Sequence, residues 1–332
     1  MEILNVGLVG FGVSGEFFHA PFLKTLPGWN IKTIISSQRE KILKCYPGVA
    51  VTEYLEEVMQ DPKIDVIIIT TPNNTHFSTA KKALLANKHV VVEKPFVISS
   101  NEGSELNELA NKQHKILTVY HNRRWDSGFL TLKKLLAQKT LGNLTQVEIH
   151  FDRFRPEVNP AKWRETMGRG NGILYDLGSH LVDQALNLFG SPKNYFADVG
   201  IQRPGGEAPD YFHIIFQYDP LRVILHASSV VPRPLAHFVV HGDGGSFVKW
   251  SLDPQEAQLR AGMLPNHPDF GKDETLAELT LPGQSAEAYP LERGDYAEFY
   301  RQLYRAIVDR RFEPPVLAKE ALEVIEWIEK LS

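Results

Sequence analysis

In the stretch GILYDLGSHLVDQ, residues 172–184, Asp176, His180 and Asp183 recur at intervals of four and three. On a helix of about 3.6 residues per turn this spacing gathers an acid, an imidazole and a second acid into a narrow arc. Leu174, Leu177, Leu181, Ala185 and Leu188 form a separate apolar face. An imidazole beside a carboxylate can take a proton from a hydroxyl near neutral pH. The same stripe also suits a solvated helix face with local ion pairs, and the stretch alone leaves both readings open. Its lead-in, GRGNG (168–172), is rich in glycine, which permits close approach of backbone to a ligand.

Near the N-terminus, VGLVGFGVSGEFF carries Gly10-x-Gly12-x-x-Gly15 directly after a β-branched run and at the start of a helical pattern. Glycines at these three positions suit a tight turn, a close approach to a pyrophosphate, and close packing of helix on strand. With Val13 they form a loop whose following helix N-terminus presents free N–H groups to phosphates. In an NAD-specific site a carboxylate stands about twenty residues on, at the end of the second strand. Here the segment reads IISSQREK. Ser36 and Ser37 can hydrogen-bond a 2'-phosphate and Arg39 can pair with it, so NADP is expected, with NAD as the alternative.

Two further segments follow strands whose carboxyl ends face a ligand in open α/β sheets. TTPNNTH (70–76) places Thr71, Pro72, Asn73 and His76 in a turn, offering amide and imidazole groups to a ribose or nicotinamide. VVVEKPF (90–96) places Glu93 and Lys94 at the sheet mouth. A carbinol loses hydride only as its hydroxyl proton leaves, which calls for a base and a cation near the developing alkoxide. His180 suits the first role and Lys94 the second, with Asp176 orienting the imidazole or binding a neighbouring substrate hydroxyl. Asp183 reads as structural. His237 and His241 share one face of a strand but have no convincing third ligand nearby, so they read as a packing pair, and no catalytic metal is expected.

The elements that must position these groups alternate in the first 120 residues. Apolar runs at 3–9, 31–36, 49–52, 65–70, 89–93 and 115–119 interleave with helical patterns at 13–26, 53–60, 75–87 and 100–113. Strands apolar on both faces predict a buried parallel sheet with crossover helices, an N-terminal Rossmann domain over residues 1–121. Beyond Tyr120 come helices at 126–137 and across the Asp/His stripe, then longer strands at 144–154, 211–218, 221–229, 236–242 and 246–250. The turns DPLR and GDGG predict antiparallel neighbours. Residues 122–332 thus read as an α+β substrate-binding and oligomerisation domain with a large, mainly antiparallel sheet. Residues 253–292 read as mostly loop, before closing helices at about 293–310 and 317–331. The overall class is α/β.

The 332 residues carry a formal net charge of −4 and no dense basic cluster, which argues against nucleic acid or an anionic membrane as partner. A start lacking a basic secretion signal, together with the lone Cys45, predicts a cytoplasmic protein without an internal disulfide. Neither a GxSxG elbow nor a GxxxxGK[ST] phosphate loop is present, so hydrolase and P-loop chemistry have no motif.

GFGVSG, TPNNTH, EKP and NGILYDLGSH together resemble the Gfo/Idh/MocA family of NAD(P)-dependent oxidoreductases across essentially the whole chain. The resemblance implies a Rossmann domain, a C-terminal domain with an open antiparallel sheet, and homodimers or homotetramers built through that sheet. It also implies Lys94 as catalytic lysine, His180 as proton acceptor and Asp176 as a substrate-positioning acid. YHNRRWDSGFLTLKKLL and HFDRFRPEV are similar to the branch containing NADP-dependent scyllo-inositol dehydrogenases. That likeness implies a cyclic polyol or sugar as substrate. Asn122, Arg123 and Trp125 follow the last Rossmann strand and can reach the nicotinamide end or a polyol, while Arg153, Arg155 and Trp163 can line a substrate cleft. The alternatives are another sugar dehydrogenase, such as an aldose dehydrogenase, and a non-catalytic NAD(P)-binding sensor.

Overall fold

The computed structural model describes residues 2–332 apart from 160 and 162, and at Trp163 the backbone only. The chain forms two compact units: Met1–Asn122 with Gln255–Phe270 and Tyr296–Ile325, and Arg123–Pro254 with Gly271–Asp295 and Glu326–Ser332.

The first unit is built on a parallel sheet of β1 (Leu4–Val9), β2 (Trp29–Ile35), β3 (Ala50–Thr52), β4 (Val66–Ile69), β5 (His89–Val92) and β6 (Leu117–Val119). Their order, β3-β2-β1-β4-β5-β6, is that of a doubly wound dinucleotide fold, whose strand order reverses at β1. Ile67, Ile68, Ile69, Val90, Val91 and Val92 are wholly buried, which is why β4 and β5 read as continuous apolar runs. Crossover helices are α1 (Ala20–Thr25), α2 (Arg39–Cys45), α3 (Leu55–Gln60), α4 (His76–Leu85) and α5 (Ser100–Lys112). The first crossover opens as a π-type turn over Ser14–His19 before α1, rather than as one regular helix from residue 13.

In the second unit, α6 (Ser127–Ala137), β7 (Leu144–His150) and α7 (Ser179–Phe189) precede β8 (Asn194–Gly200), β9 (Tyr211–Gln217) and β10 (Arg222–Ser228). Then follow β11 (Phe238–Gly242), β12 (Gly245–Lys249), β13 (Ala277–Thr280) and β14 (Glu287–Ala288). The eight strands are ordered β14-β13-β12-β11-β7-β10-β9-β8. All neighbours are antiparallel except β7 and β10, which run parallel. The DPLR and GDGG segments do join antiparallel pairs, β9 to β10 and β11 to β12.

Alternation sets the two faces of this sheet. Val147, Ile149, Val223, Leu225, Phe212, Ile214 and Phe238 are buried on the side where α6 and α7 pack. Glu148, Ile224, His213 and Val239 are half-buried on the other. Five elements escaped the sequence pattern: α2, the edge strand β8 and, inside the segment read as loop, α8 (Gln255–Arg260), β13 and β14. The closing helices are α9 (Ala297–Val308) and α10 (Ala318–Leu331). Among the described residues no helix is long and apolar enough to cross a membrane.

Candidate cofactor and substrate site

The glycine loop in the first unit is shaped by contacts that exclude side chains. Gly10 has φ +98°, and a Cβ there would lie 2.9 Å from Thr70 Oγ1. At Gly15 a Cβ would come 2.5 Å from the Gly10 carbonyl oxygen, so the helix start sits directly on the loop. A Cβ at Gly12 would meet nothing within 4 Å, which leaves open space over that backbone. Val13, next to it, is half exposed. Fixed glycines on either side of an open one form a cradle that fits a dinucleotide pyrophosphate.

At the end of β2, Ser36 N–H donates to the Thr52 carbonyl (2.9 Å) and Ser36 Oγ accepts from Gln38 N–H (3.1 Å). Ser37 and Arg39 are exposed. Arg39 opens α2, and its Nη1 donates to the Val51 carbonyl at 2.8 Å, which holds the guanidinium beside the Ser36–Ser37 turn.

After β4, Asn73 is buried in a single 3-10 turn, and Thr71 and Thr75 hydroxyls are 2.6 Å apart. His76 behaves differently from the expectation of an imidazole offered to ribose or nicotinamide. Its Nε2 lies 2.9 Å from the Thr71 carbonyl oxygen and its Nδ1 2.9 Å from that of Pro95. The ring therefore clasps the loop after β4 to the loop after β5. Burial is the main reason its pKa lies below the usual histidine value, against the backbone bonds that favour the charged form.

That second loop carries Glu93 and Lys94. Burial alone would raise the Glu93 carboxyl, but hydrogen bonds from His19 and Ser14 and the charges of His19 and Lys94 outweigh it, holding the pKa down at about 2. Glu93 Oε1 is 2.9 Å from His19 Nε2 and also accepts from the Ser14 hydroxyl, while Oε2 accepts from Lys94 N–H at 3.0 Å. His19 Nδ1 in turn meets the Tyr300 hydroxyl at 2.5 Å. Glu93 thus ties the glycine-loop helix to the backbone of Lys94, a role of His19 and Tyr300 that no local spacing announces. Lys94 itself is half-buried, and Asn122 is half-buried after β6.

In the second unit the helical stripe begins with a π-type turn over Leu174–Gly178 and continues as α7. It is not a solvated face. His180 is 4% exposed and Asp183 2%, while Leu174, Leu177, Leu181 and Ala185 pack in the core and Leu188 is half-buried. Asp183 is held by Arg124, which donates Nη2–H to Oδ1 at 2.6 Å and Nε–H to Oδ2 at 2.9 Å. Asp176 stays half-buried, with Arg153 Nη1 at 3.3 Å and Arg164 Nε at 3.9 Å from its oxygens. The stripe therefore divides into an anchoring acid, a buried imidazole and an accessible acid edged by arginines.

The remaining substrate candidates differ in setting. Arg123 is buried, donates to Asp126 at 3.3 Å, and has its guanidinium 4.6 Å from the Phe151 ring centroid; that of Arg153 is 5.0 Å from the same ring. Trp125 is buried and its carbonyl accepts from Asp295 N–H (2.9 Å). The Arg155 side chain is exposed. The side chain of Trp163 lies outside the described residues. Arg203, absent from the sequence expectations, holds the segment bearing Arg155 and Glu165: it donates to Asp210 (2.7 Å), Glu165 (2.9 Å) and the carbonyls of Arg155 (3.3 Å) and Glu157 (3.2 Å). His237 is buried with Nδ1 2.6 Å from the His150 carbonyl oxygen, and His241 Nδ1 is 2.8 Å from Ser246 Oγ, so each meets a different partner.

Comparison with known proteins agrees with this anatomy. Residues 4–121 match the oxidoreductase family's NAD-binding Rossmann fold, and residues 133–331 match its C-terminal alpha/beta domain. The chain is 43% identical to the uncharacterized oxidoreductase YdgJ of Escherichia coli, over 98% of this chain and 94% of that one. It is 39% identical to the Bacillus subtilis scyllo-inositol 2-dehydrogenase (NADP(+)) IolW, over 99% and 93%. Among solved structures, the oxidoreductase YvaA of Bacillus subtilis superposes with a TM-score of 0.96 at 39% identity, covering 99% of this chain and 95% of that one. The chain belongs to the Gfo/Idh/MocA family of oxidoreductases with an NAD-binding Rossmann domain.

Proposed function

We propose that the chain is an NADP-dependent oxidoreductase that interconverts a secondary alcohol and a ketone on a cyclic polyol or sugar, of the scyllo-inositol and inosose type. One observation carries the cofactor preference: Ser36, Ser37 and Arg39 occupy the turn after β2, where an NAD-specific site carries a carboxylate. The substrate class is supported by full-length similarity to a scyllo-inositol 2-dehydrogenase (NADP(+)).

When bound, the nicotinamide supplies the hydride acceptor or donor. In this reading His180 takes the hydroxyl proton during oxidation and returns it during reduction. Lys94 stabilises the developing alkoxide through its ammonium charge. Asp176, steadied by Arg153, accepts a hydrogen bond from a neighbouring substrate hydroxyl and so fixes which carbinol is presented.

The cofactor assignment is tested by titrating the protein with NADPH and NADH and following nicotinamide fluorescence. The expectation is tighter NADPH binding, weakened by about tenfold or more in Arg39→Ala with NADH binding little changed. Equal affinities in the wild-type protein, or an Arg39→Ala change that affects both cofactors alike, would refute it.

A further inference from the structure

A second group of ligand-type side chains lies on the sheet face opposite α7. β7 and β10 are parallel neighbours, and their register puts His150 beside His226 with ring centroids 5.4 Å apart. Two residues on, Asp152 is turned back onto the same place: its Oδ1 accepts from Ser228 N–H (3.1 Å) and lies 3.3 Å from His226 Nε2. One donor atom from each of the three residues falls within 4.8 Å of the others.

Two of these residues present atoms that the protein does not use. His150 Nδ1 and Asp152 Oδ2 are buried and have no hydrogen-bond partner among the described residues, and the two side chains are only 6% and 1% exposed. Buried polar atoms in native proteins are nearly always satisfied, so two unfilled ones in a single cluster point to a missing ligand. The other nitrogen of His150 explains the orientation. Its Nε2 lies 2.8 Å from Glu148 Oε2, which fixes the proton there and leaves Nδ1 with its lone pair available to a ligand. A carboxylate behind an imidazole is the arrangement that orients and strengthens a metal-binding histidine.

We propose that His150, Asp152 and His226 bind a divalent transition-metal ion of the zinc type, bracing β7 against β10. Two imidazoles and a carboxylate suit such an ion, whose bonds to nitrogen and oxygen are about 2 Å; closing the cluster to that size draws the donors in by about 1 Å. Asp152 and His150 point away from Phe151 and Arg153, which alternate to the opposite face, so this site is separate from the Asp176 cluster. It is independent of the proposed catalytic reading.

The test uses the full-length protein after chelator treatment. Co2+ is added and the visible absorption of the bound ion recorded, followed by displacement with Zn2+ and metal analysis after gel filtration. The proposal predicts one ion per chain, a saturable visible band lost on adding Zn2+, and a rise in melting temperature with Zn2+. Asp152→Asn and His226→Asn should weaken binding by more than about tenfold, and Glu148→Gln by roughly 10- to 100-fold. His241→Asn, on the same sheet face, should bind as wild type does. Absence of a saturable band in the wild-type protein would overturn the proposal without relying on any variant. Equal loss in His241→Asn and His226→Asn would overturn it too, since that marks scattered surface histidines as the binders.

Discussion

Asp183 sits one turn beyond His180 and makes a bidentate pair with Arg124, with side-chain exposures of 3% and 9%. Changing Asp183 to Asn keeps the shape and removes the charge. Arg124 then stays buried with the charge of its bidentate carboxylate removed, and one of its hydrogen bonds now reaches an NH2 group that cannot accept it. Removing one partner of such a pair costs about 3–5 kcal/mol. The surviving Asn oxygen still accepts a bond, which puts the expected loss near the lower end, about 3 kcal/mol. For a unit of this size each kcal/mol lowers Tm by about 2–4 °C, so the shift should be roughly 6–12 °C. Thermal unfolding followed by circular dichroism reads it directly. In a double-mutant cycle, the Arg124→Leu, Asp183→Leu protein should lose less than either single variant, because an apolar pair leaves no buried charge. A Tm change below about 2 °C for Asp183→Asn would refute the assignment of this acid as the anchor of α7. Because the same helix carries His180, turnover should fall with it while NADPH affinity, a property of the other unit, stays put.

Four other outcomes follow from the geometry. Gly10→Ala should destabilise the fold, by about 1–3 kcal/mol from the left-handed φ alone, and abolish cofactor binding. Gly12→Ala should leave Tm within about 1 °C yet weaken cofactor binding by about tenfold or more, because its methyl meets only the open space where the cofactor would sit. Glu93 is depressed from 4.5 to about 2, so its contribution is present above pH 4.5 and lost as pH falls toward 2. Denaturant titrations should show wild type exceeding Glu93→Gln by a few kcal/mol at neutral pH, the gap closing across that acid window. His180→Ala and Lys94→Ala should each lower kcat by about 10²- to 10⁴-fold, with NADPH binding retained by fluorescence titration.

The Rossmann half was legible because its information is local. Buried parallel strands such as Val90–Val92 are apolar runs, and Gly10 and Gly15 must be small for reasons the backbone imposes. Elements that tertiary packing stabilises were harder to see. β8, NYFADVG, is an edge strand with mostly exposed or half-exposed side chains and hence a weak alternation. α8 is only six residues long inside a polar stretch.

The same division runs through the candidate site. The residues at strand ends and on the Asp/His helix could be named from spacing, but their partners could not. Arg124 meets Asp183 from 59 positions away and Tyr300 reaches His19 across 281. The two histidines and Asp152 on the open sheet face show the limit clearly. His150-x-Asp152 is visible in the sequence, but His226 joins it only through the parallel pairing of β7 with β10, which no local pattern encodes. The neighbouring His237 and His241, which looked like a pair, have separate partners.

The most direct test of the central claim is turnover. Purified protein should be offered NADP and NAD, each with scyllo-inositol, myo-inositol and common aldoses, while reduced nicotinamide is followed by absorbance; the keto forms with NADPH test the reverse direction. The account predicts NADP reduction with a cyclic polyol, slower or absent with NAD, and lost in His180→Ala. Tight NADPH binding with no turnover on any polyol or keto form, or turnover preserved in His180→Ala, would contradict it.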